Sequence, residues 1–278
     1  MLQKRTFSGI WQALRPALLF IALYLLLLSI GDVIYPGLAG ISGLGPFLLQ
    51  HPGLYRFFLI VFSMAGALIP VLREGRLRII YFRQKERENR VLGRRIETKR
   101  GLVLACLVLA AASACLYGNF LVEAMSWNSA SVPAMEAIYQ EISPLAILAA
   151  FGIFTPFVEE FVFRGILYTG LREVLPAPAA VFLTSLLFGL YHGDLVQGVY
   201  AFGVSLLFCL SMELLRQFEA PWILHGVANF LPLALSFLGV WNLLSGALWR
   251  YCFLICLLLS IAVLCAVLGP GREERPRT

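Results

Sequence analysis

The stretch FVEEFVFRGILY, residues 157–168, places two adjacent carboxylates, Glu159 and Glu160, within a run of apolar side chains. Arg164 follows four residues after the second glutamate. A charged side chain inside a membrane costs at least about 2.5 kcal/mol, so such groups usually face the interior of a helical bundle and carry a function. The stretch therefore indicates a polar site in apolar surroundings.

The composition of the whole chain is that of a membrane protein. Of its 278 residues, 60% are hydrophobic and 14% are charged, whereas a soluble domain is nearer half apolar and a quarter charged. Apolar runs long enough to cross a hydrocarbon core of roughly 30 Å recur along the chain. We predict an all-α polytopic membrane protein with about eight transmembrane helices, at residues 14–31, 54–72, 101–122, 143–163, 178–194, 196–215, 221–240 and 247–268.

The basic residues predict the orientation of the chain. The formal charge of +6 arises mainly from residues 73–100, with smaller clusters near the N-terminus and in the tail GREERPRT. Such clusters mark the cytosolic side of a membrane and contact anionic lipid. We expect cytoplasmic N- and C-termini, a location in the bacterial inner (plasma) membrane, membrane lipid as a partner, and no binding of nucleic acid.

Helix geometry separates the two acids of the opening stretch. Glu160 and Arg164 are spaced i, i+4 and can form an ion pair on one face. Glu159 lies about 100° around the helix and can point elsewhere. One acid would then be structural and the other free to transfer protons. Alternatively, both acids lie near the cytosolic boundary and only pair with Arg164.

Further polar residues lie in the fifth and seventh predicted spans. His192 ends the run SLLFGLYH, and His225 and Asn229 share one face of the seventh span. A buried glutamate near a histidine can deprotonate water, and an imidazole beside a carboxamide can stabilise an oxyanion. Taken alone, His225 and Asn229 are better explained as interhelical hydrogen bonds that hold the bundle together, but a second histidine in a neighbouring span favours the functional interpretation. No serine or cysteine lies in a recognisable nucleophile motif, which argues against an acyl-enzyme.

Three short segments resemble the motifs of a known family. EEFVFR at 159–164, FGLYH at 188–192 and HGVAN at 225–229 are similar to the EExxxR, FxxxH and HxxxN motifs of the CAAX-protease and bacteriocin-processing (CPBP, Abi) family of intramembrane glutamic endopeptidases. The resemblance covers about residues 143–240. It implies that Glu159 and His192 activate water and that His225 and Asn229 are oxyanion donors. Glu160, Arg164 and Phe188 would be supporting residues.

The resemblance implies hydrolysis of a peptide bond in a membrane-associated, possibly lipid-modified, peptide or protein. We divide the single membrane domain into N-terminal spans with the basic cytosolic segment 73–100 (residues 1–142), a catalytic core (143–240), and a last span with a cytosolic tail (247–278). Many family members have an aromatic residue four positions before the third-motif histidine, where this chain has Pro221.

The alternatives concern cofactor and activity. Two histidines and a glutamate could hold Zn²⁺ with a water, but HExxH is absent and the family's mechanism is described as metal-free, so we expect no cofactor. A non-catalytic membrane immunity or partner-binding relative is the second hypothesis. A proton-coupled transporter is the third, and no internal repeat supports it.

Two further expectations follow from the predicted spans. Glu159 would lie near the cytosolic face, with His192 roughly 20 Å from that face. The two can meet only if the stretch LREVLPAPAA begins below the membrane or the helices are staggered or tilted, and we expect the site in the cytosolic half. The six cysteines all lie in apolar segments, and we interpret them as small buried hydrophobic side chains rather than disulfides or metal ligands.

Overall fold

The computed structural model describes residues 2–88, 90–124, 132–193, 195–244 and 246–268, and all regular structure in these ranges is helical. The first half contains α1 Leu2–Ala39, α2 Leu44–Gln50, α3 Pro52–Leu68, α4 Leu72–Glu88, α5 Arg90–Ala124 and α6 Val132–Glu141, with a 3₁₀ turn Ile69–Val71 joining α3 to α4. The basic segment 73–100 is therefore helical where it is described, in α4 and the start of α5.

The second half begins with one long helical segment that alternates between α- and π-helix. It contains α7 Pro144–Ile147, a first π segment Leu148–Phe154, α8 Thr155–Glu160, a second π segment Phe161–Tyr168 and α9 Thr169–Val174. The helices α10 Ala177–Tyr191, α11 Leu195–Leu215, α12 Glu219–Phe237, α13 Trp241–Leu244 and α14 Ala247–Leu268 follow. The predicted cytosolic tail after residue 268 lies outside the described residues.

Seven helical segments of the described chain are long and apolar enough to cross a membrane. Each of the eight predicted spans overlaps a helical segment, but the fifth overlaps α10, which has only 15 residues. Its length of about 22 Å is short of a hydrocarbon core of roughly 30 Å. The predicted fold class, an all-α polytopic membrane protein, is confirmed.

The predicted end of the fourth span at residue 163 is wrong, because the helix continues to Val174. Pro144 lies in its first turn, and the Ser143 hydroxyl caps that turn by accepting the Ala146 N–H at 3.3 Å. The chain leaves the helix at Leu175 and Pro176, which are extended. Glu159 therefore lies near the middle of a 31-residue span rather than at its cytosolic end. The chain then reverses, so α10 brings His192 back toward the level of Glu159.

The core is densest around the second π segment. Every residue from Phe161 to Tyr168 is buried, and α1, α4 and α10 pack against this segment. On the other side of the bundle, α5 packs against α11, α12 and α14. Large apolar side chains on the outer helices are exposed, among them Leu258 and Leu259 of α14, as a lipid-facing surface requires.

Candidate active site

Glu160 and Arg164 form a fully buried ion pair. Arg164 Nη1 lies 2.8 Å from Glu160 Oε1, and both side chains are 0% exposed. The i, i+4 spacing permits this contact even though α8 passes into the second π segment between the two residues. A charge buried this deeply is stable only when it is paired and hydrogen-bonded.

Arg164 is also held from two other helices. Its Nη2 donates to the Ser205 carbonyl at 3.1 Å and to the Ser205 hydroxyl at 2.5 Å on α11. Its guanidinium carbon lies 4.7 Å from the ring centre of Phe188 and 5.1 Å from that of Phe208, both within the range of a cation–π contact. Arg164 thus joins α10 and α11 to the helix of the two glutamates.

His225 contacts both glutamates, an arrangement that helix spacing did not predict. Its Nδ1 lies 2.8 Å from Glu160 Oε1, and its Nε2 lies 3.6 Å from Glu159 Oε2. Because the same Glu160 oxygen accepts from Arg164, this group is an ionised acceptor, and His225 Nδ1–H donates to it. The Phe208 ring stacks on the imidazole at 4.8 Å. His225 Nε2 is therefore directed at Glu159.

His192 follows the last residue of α10 and has a defined tautomer. Its Nδ1 lies 2.8 Å from the Phe188 carbonyl oxygen, which can only accept, so the proton is on Nδ1 and the Nε2 lone pair is free in the neutral ring. The Phe188 ring lies 4.9 Å from the imidazole. His192 is close enough to Glu159 for an electrostatic interaction. These contacts place a potential base beside the carboxylate.

Asn229 is fixed by a backbone carbonyl of the first π segment. Its Nδ2 donates to the Phe151 carbonyl at 3.3 Å. In the π register that carbonyl would accept from the residue five positions on, which is Pro156, and proline has no N–H. Asn229 therefore supplies the missing donor with one amide hydrogen and keeps a second one for another acceptor.

Tyr191 is a site residue that the sequence did not reveal. Its side chain lies near the Glu159 carboxyl, and its ring lies 5.4 Å from Phe163 and 6.3 Å from Tyr24. A tyrosine in an apolar run carries no charge that would indicate a site residue. The available signal was its place directly before His192.

Of the predicted site residues, Glu160, Arg164, His192 and His225 interact with Glu159, which is 7% exposed, whereas the contact given for Asn229 is with the Phe151 carbonyl. Phe188 lies between Arg164 and the two histidine rings, 5.7 Å from His225. Pro221 lies in the first turn of α12, and the neighbouring Trp222 ring packs 5.2 Å from Phe157. Within the described residues, no group of three His, Cys, Asp or Glu side chains is arranged to hold a metal ion.

A comparison with protein-family models finds a match in the second half of the chain. Residues 141–231 match the family model described as Type II CAAX prenyl endopeptidase Rce1-like, and this range includes every predicted site residue. No curated protein and no solved structure matches the chain. The segment that carries Glu159, His192 and His225 is accordingly similar to the Rce1-like type II CAAX prenyl endopeptidases.

Proposed function

We propose that this protein is an intramembrane endopeptidase that hydrolyses a peptide bond in a membrane-associated peptide or protein. The observation that carries the proposal is the different environment of two adjacent acids. Glu160 is occupied by Arg164 and His225, whereas Glu159 faces His225 Nε2 and the Tyr191 hydroxyl. A carboxylate buried in a membrane without a cationic arginine partner of its own is suited to proton transfer.

The proposed nucleophile is a water molecule held between Glu159 and His192. The Nε2 lone pair of His192 accepts one hydrogen bond of this water, since Nδ1 carries the ring proton. Glu159 removes the other proton as the water oxygen attacks the peptide carbonyl carbon. When the tetrahedral intermediate collapses, the C–N bond breaks and Glu159 returns that proton to the leaving amine. Each proton is accounted for, and no covalent enzyme intermediate forms.

His225 and Asn229 are the proposed donors to the oxyanion. His225 Nδ1–H is already committed to Glu160, so donation from Nε2 requires the imidazolium form. The charges allow it, because two carboxylates then balance one guanidinium and one imidazolium in a buried cluster. The second amide hydrogen of Asn229 adds a neutral donor. Removing one such donor typically lowers kcat by about 10²–10³-fold.

We propose catalysis without a metal ion. The substrate is membrane-associated and includes lipid-modified peptides, because the site lies within a span and family members are CAAX prenyl endopeptidases by description. The location proposed is the bacterial inner membrane, with both termini in the cytoplasm. A non-catalytic relative with the same fold is the competing function.

The test compares cleavage of two fluorogenic peptides, one ending in a farnesylated CAAX sequence and one unmodified, by purified protein in lipid nanodiscs. Glu159→Gln should lower cleavage by about 10²–10⁴-fold. The matched control is Glu219→Gln, which removes a half-exposed carboxylate of α12 paired with Arg83, and it should retain activity. Assays with and without a strong chelator should agree.

Three other outcomes would change the proposal. Equal cleavage by wild type and Glu159→Gln would remove Glu159 from the chemistry. Loss of cleavage with chelator, restored by Zn²⁺, would assign His192 and His225 to a metal site. No cleavage of either peptide by any variant, with intact folding, would favour the non-catalytic function.

A further inference from the structure

Pro232 leaves a gap in the backbone hydrogen bonds of α12. It lies inside the helix and has no N–H, so the carbonyl four residues earlier loses its α-helical partner. That carbonyl belongs to Ala228, which is 1% exposed. A buried carbonyl without a donor is destabilising, so a substitute donor is expected at this position.

Cys115 of α5 supplies such a donor. Its Sγ lies 2.6 Å from the Ala228 carbonyl oxygen, and the cysteine is 3% exposed. The same sulfur accepts from the Tyr200 hydroxyl at 2.8 Å and from Asn119 Nδ2 at 3.6 Å. Because two donors point at the sulfur, its single hydrogen is directed to the carbonyl. Cys115 is therefore more than the small hydrophobic side chain that the sequence predicted.

The bridged carbonyl lies in the turn of α12 that carries the proposed oxyanion donors. Ala228 directly precedes Asn229 and follows His225 by three residues. On the opposite side, Asn229 donates to the Phe151 carbonyl, which Pro156 leaves without a π-helical partner. Two side-chain donors thus replace two hydrogen bonds removed by proline, one on each side of the same turn.

We propose that Cys115 is a positioning residue, which donates to the carbonyl freed by Pro232 and so holds Asn229 in place relative to Glu159. This inference rests on the proposed function. Without the thiol, the turn has an unpaired buried carbonyl and can rotate or tilt to find another donor. A displacement of about 1 Å at a catalytic group is enough to lower the rate by up to about 100-fold.

A thermal-stability cycle tests the hydrogen bond independently of activity. Cys115→Ala should lower the Tm of the purified protein by about 3 °C. Pro232→Ala restores the N–H that the Ala228 carbonyl lacks, so in this background Cys115→Ala should lower the Tm by less than half as much. If Cys115→Ala lowers the Tm equally in both backgrounds, the thiol does not replace the N–H that Pro232 lacks, and the proposal is overturned.

Kinetics test the positioning. Cys115→Ala should lower kcat about tenfold with KM within about twofold, whereas Cys115→Ser, which keeps a donor, should recover most of kcat. The control Cys106→Ala removes a buried thiol of the same helix that has no hydrogen bond to any described residue, and it should retain kcat. In an Asn229→Ala background, Cys115→Ala should cause little further loss.

An unchanged kcat in Cys115→Ala, or an equal loss in the Asn229→Ala background, would overturn positioning through Asn229. If the wild type cleaves neither peptide, the proposed function fails, and the Tm cycle alone decides whether Cys115 holds α12.

Discussion

The two adjacent glutamates differ in what surrounds them, and this difference predicts different responses to the same substitution. Glu160→Gln removes the charge that balances Arg164, whose other partners are neutral groups of Ser205 and two aromatic rings. Breaking a buried ion pair from one side costs about 3–5 kcal/mol. We expect Glu160→Gln to unfold at clearly lower temperature, while Glu159→Gln unfolds near the wild-type Tm. Equal losses of Tm would contradict these separate roles.

Tyr191→Phe tests the residue that the sequence did not reveal. The change removes the hydroxyl that faces Glu159 but keeps the ring against Phe163 and Tyr24. We expect this hydroxyl to donate a hydrogen bond to the Glu159 carboxylate during the reaction, an interaction worth about 1.5–3 kcal/mol, so kcat should fall about ten- to hundredfold while the Tm stays close to wild type. Tyr139→Phe, on α6 against Phe237, is the control. A lower Tm with an unchanged kcat would make Tyr191 a packing residue.

For these residues, the sequence predicted the contacts within one helix but not the contacts between helices. Periodicity gives the Glu160–Arg164 pair and the shared face of His225 and Asn229, since both depend only on helical spacing. The 2.8 Å contact of His225 Nδ1 with Glu160 joins residues 65 positions apart. It depends on how α12 packs against α8, and no local sequence pattern predicts that packing.

At the scale of the elements, burial of Arg164 explains why one predicted boundary was wrong. A charged residue after an apolar run usually marks the membrane surface, and the fourth span was therefore expected to end at residue 163. Arg164 is instead 0% exposed because Glu160 neutralises it inside the bundle. The apolar sequence beyond it, including the buried Ile166 and Leu167, continues the same helical segment.

The contact between α5 and α11 gives a prediction for a glycine. A Cβ on Gly118 would lie 2.3 Å from Tyr200 Cδ2, so Gly118→Ala must displace the ring whose hydroxyl bonds Cys115. Overpacking of this kind costs about 1–3 kcal/mol. Gly101→Ala, also in α5, meets nothing within 4 Å and should stabilise the helix by up to about 1 kcal/mol. Thermal unfolding of both variants measures the contrast, and a stable Gly118→Ala would contradict it.

At the scale of the whole molecule, the cysteines differ in whether they lie between helices or on the outer, lipid-facing surface. Cys106, Cys115 and Cys209 are buried between helices, as predicted, whereas Cys256 and Cys265 are exposed on α14. The expectation of burial was wrong for these two because an apolar sequence does not distinguish a protein interior from a lipid-facing surface. The apolar side chains of α14 face lipid acyl chains instead of the protein interior.

The ion pairs show that the two ends of the bundle differ in their arginine content. At one end, Arg78 pairs with Glu74 and Glu173, Arg83 with Glu219, and both Arg172 and Arg216 with Glu213. At the other end, Asp32 pairs with Arg56, and Glu141 caps α3 by accepting the N–H groups of Gly53 and Leu54. Arginine is thus concentrated at the end that holds the α11–α12 turn, and from the positive-inside rule we propose the assignment of that end to the cytosol.

This assignment predicts opposite labelling of two exposed turns. Ser42→Cys lies between α1 and α2, and Gln217→Cys lies between α11 and α12; each is made with Cys256 and Cys265 replaced by alanine. A membrane-impermeant maleimide should label Ser42→Cys in intact cells, but Gln217→Cys only after the membrane is permeabilised. The reversed pattern would place the arginine-rich end outside, against the charge rule. Because α12 begins beside Gln217 and His225 lies about 9 Å along it, the predicted pattern also gives the cytosol as the nearer aqueous side for the proposed active site.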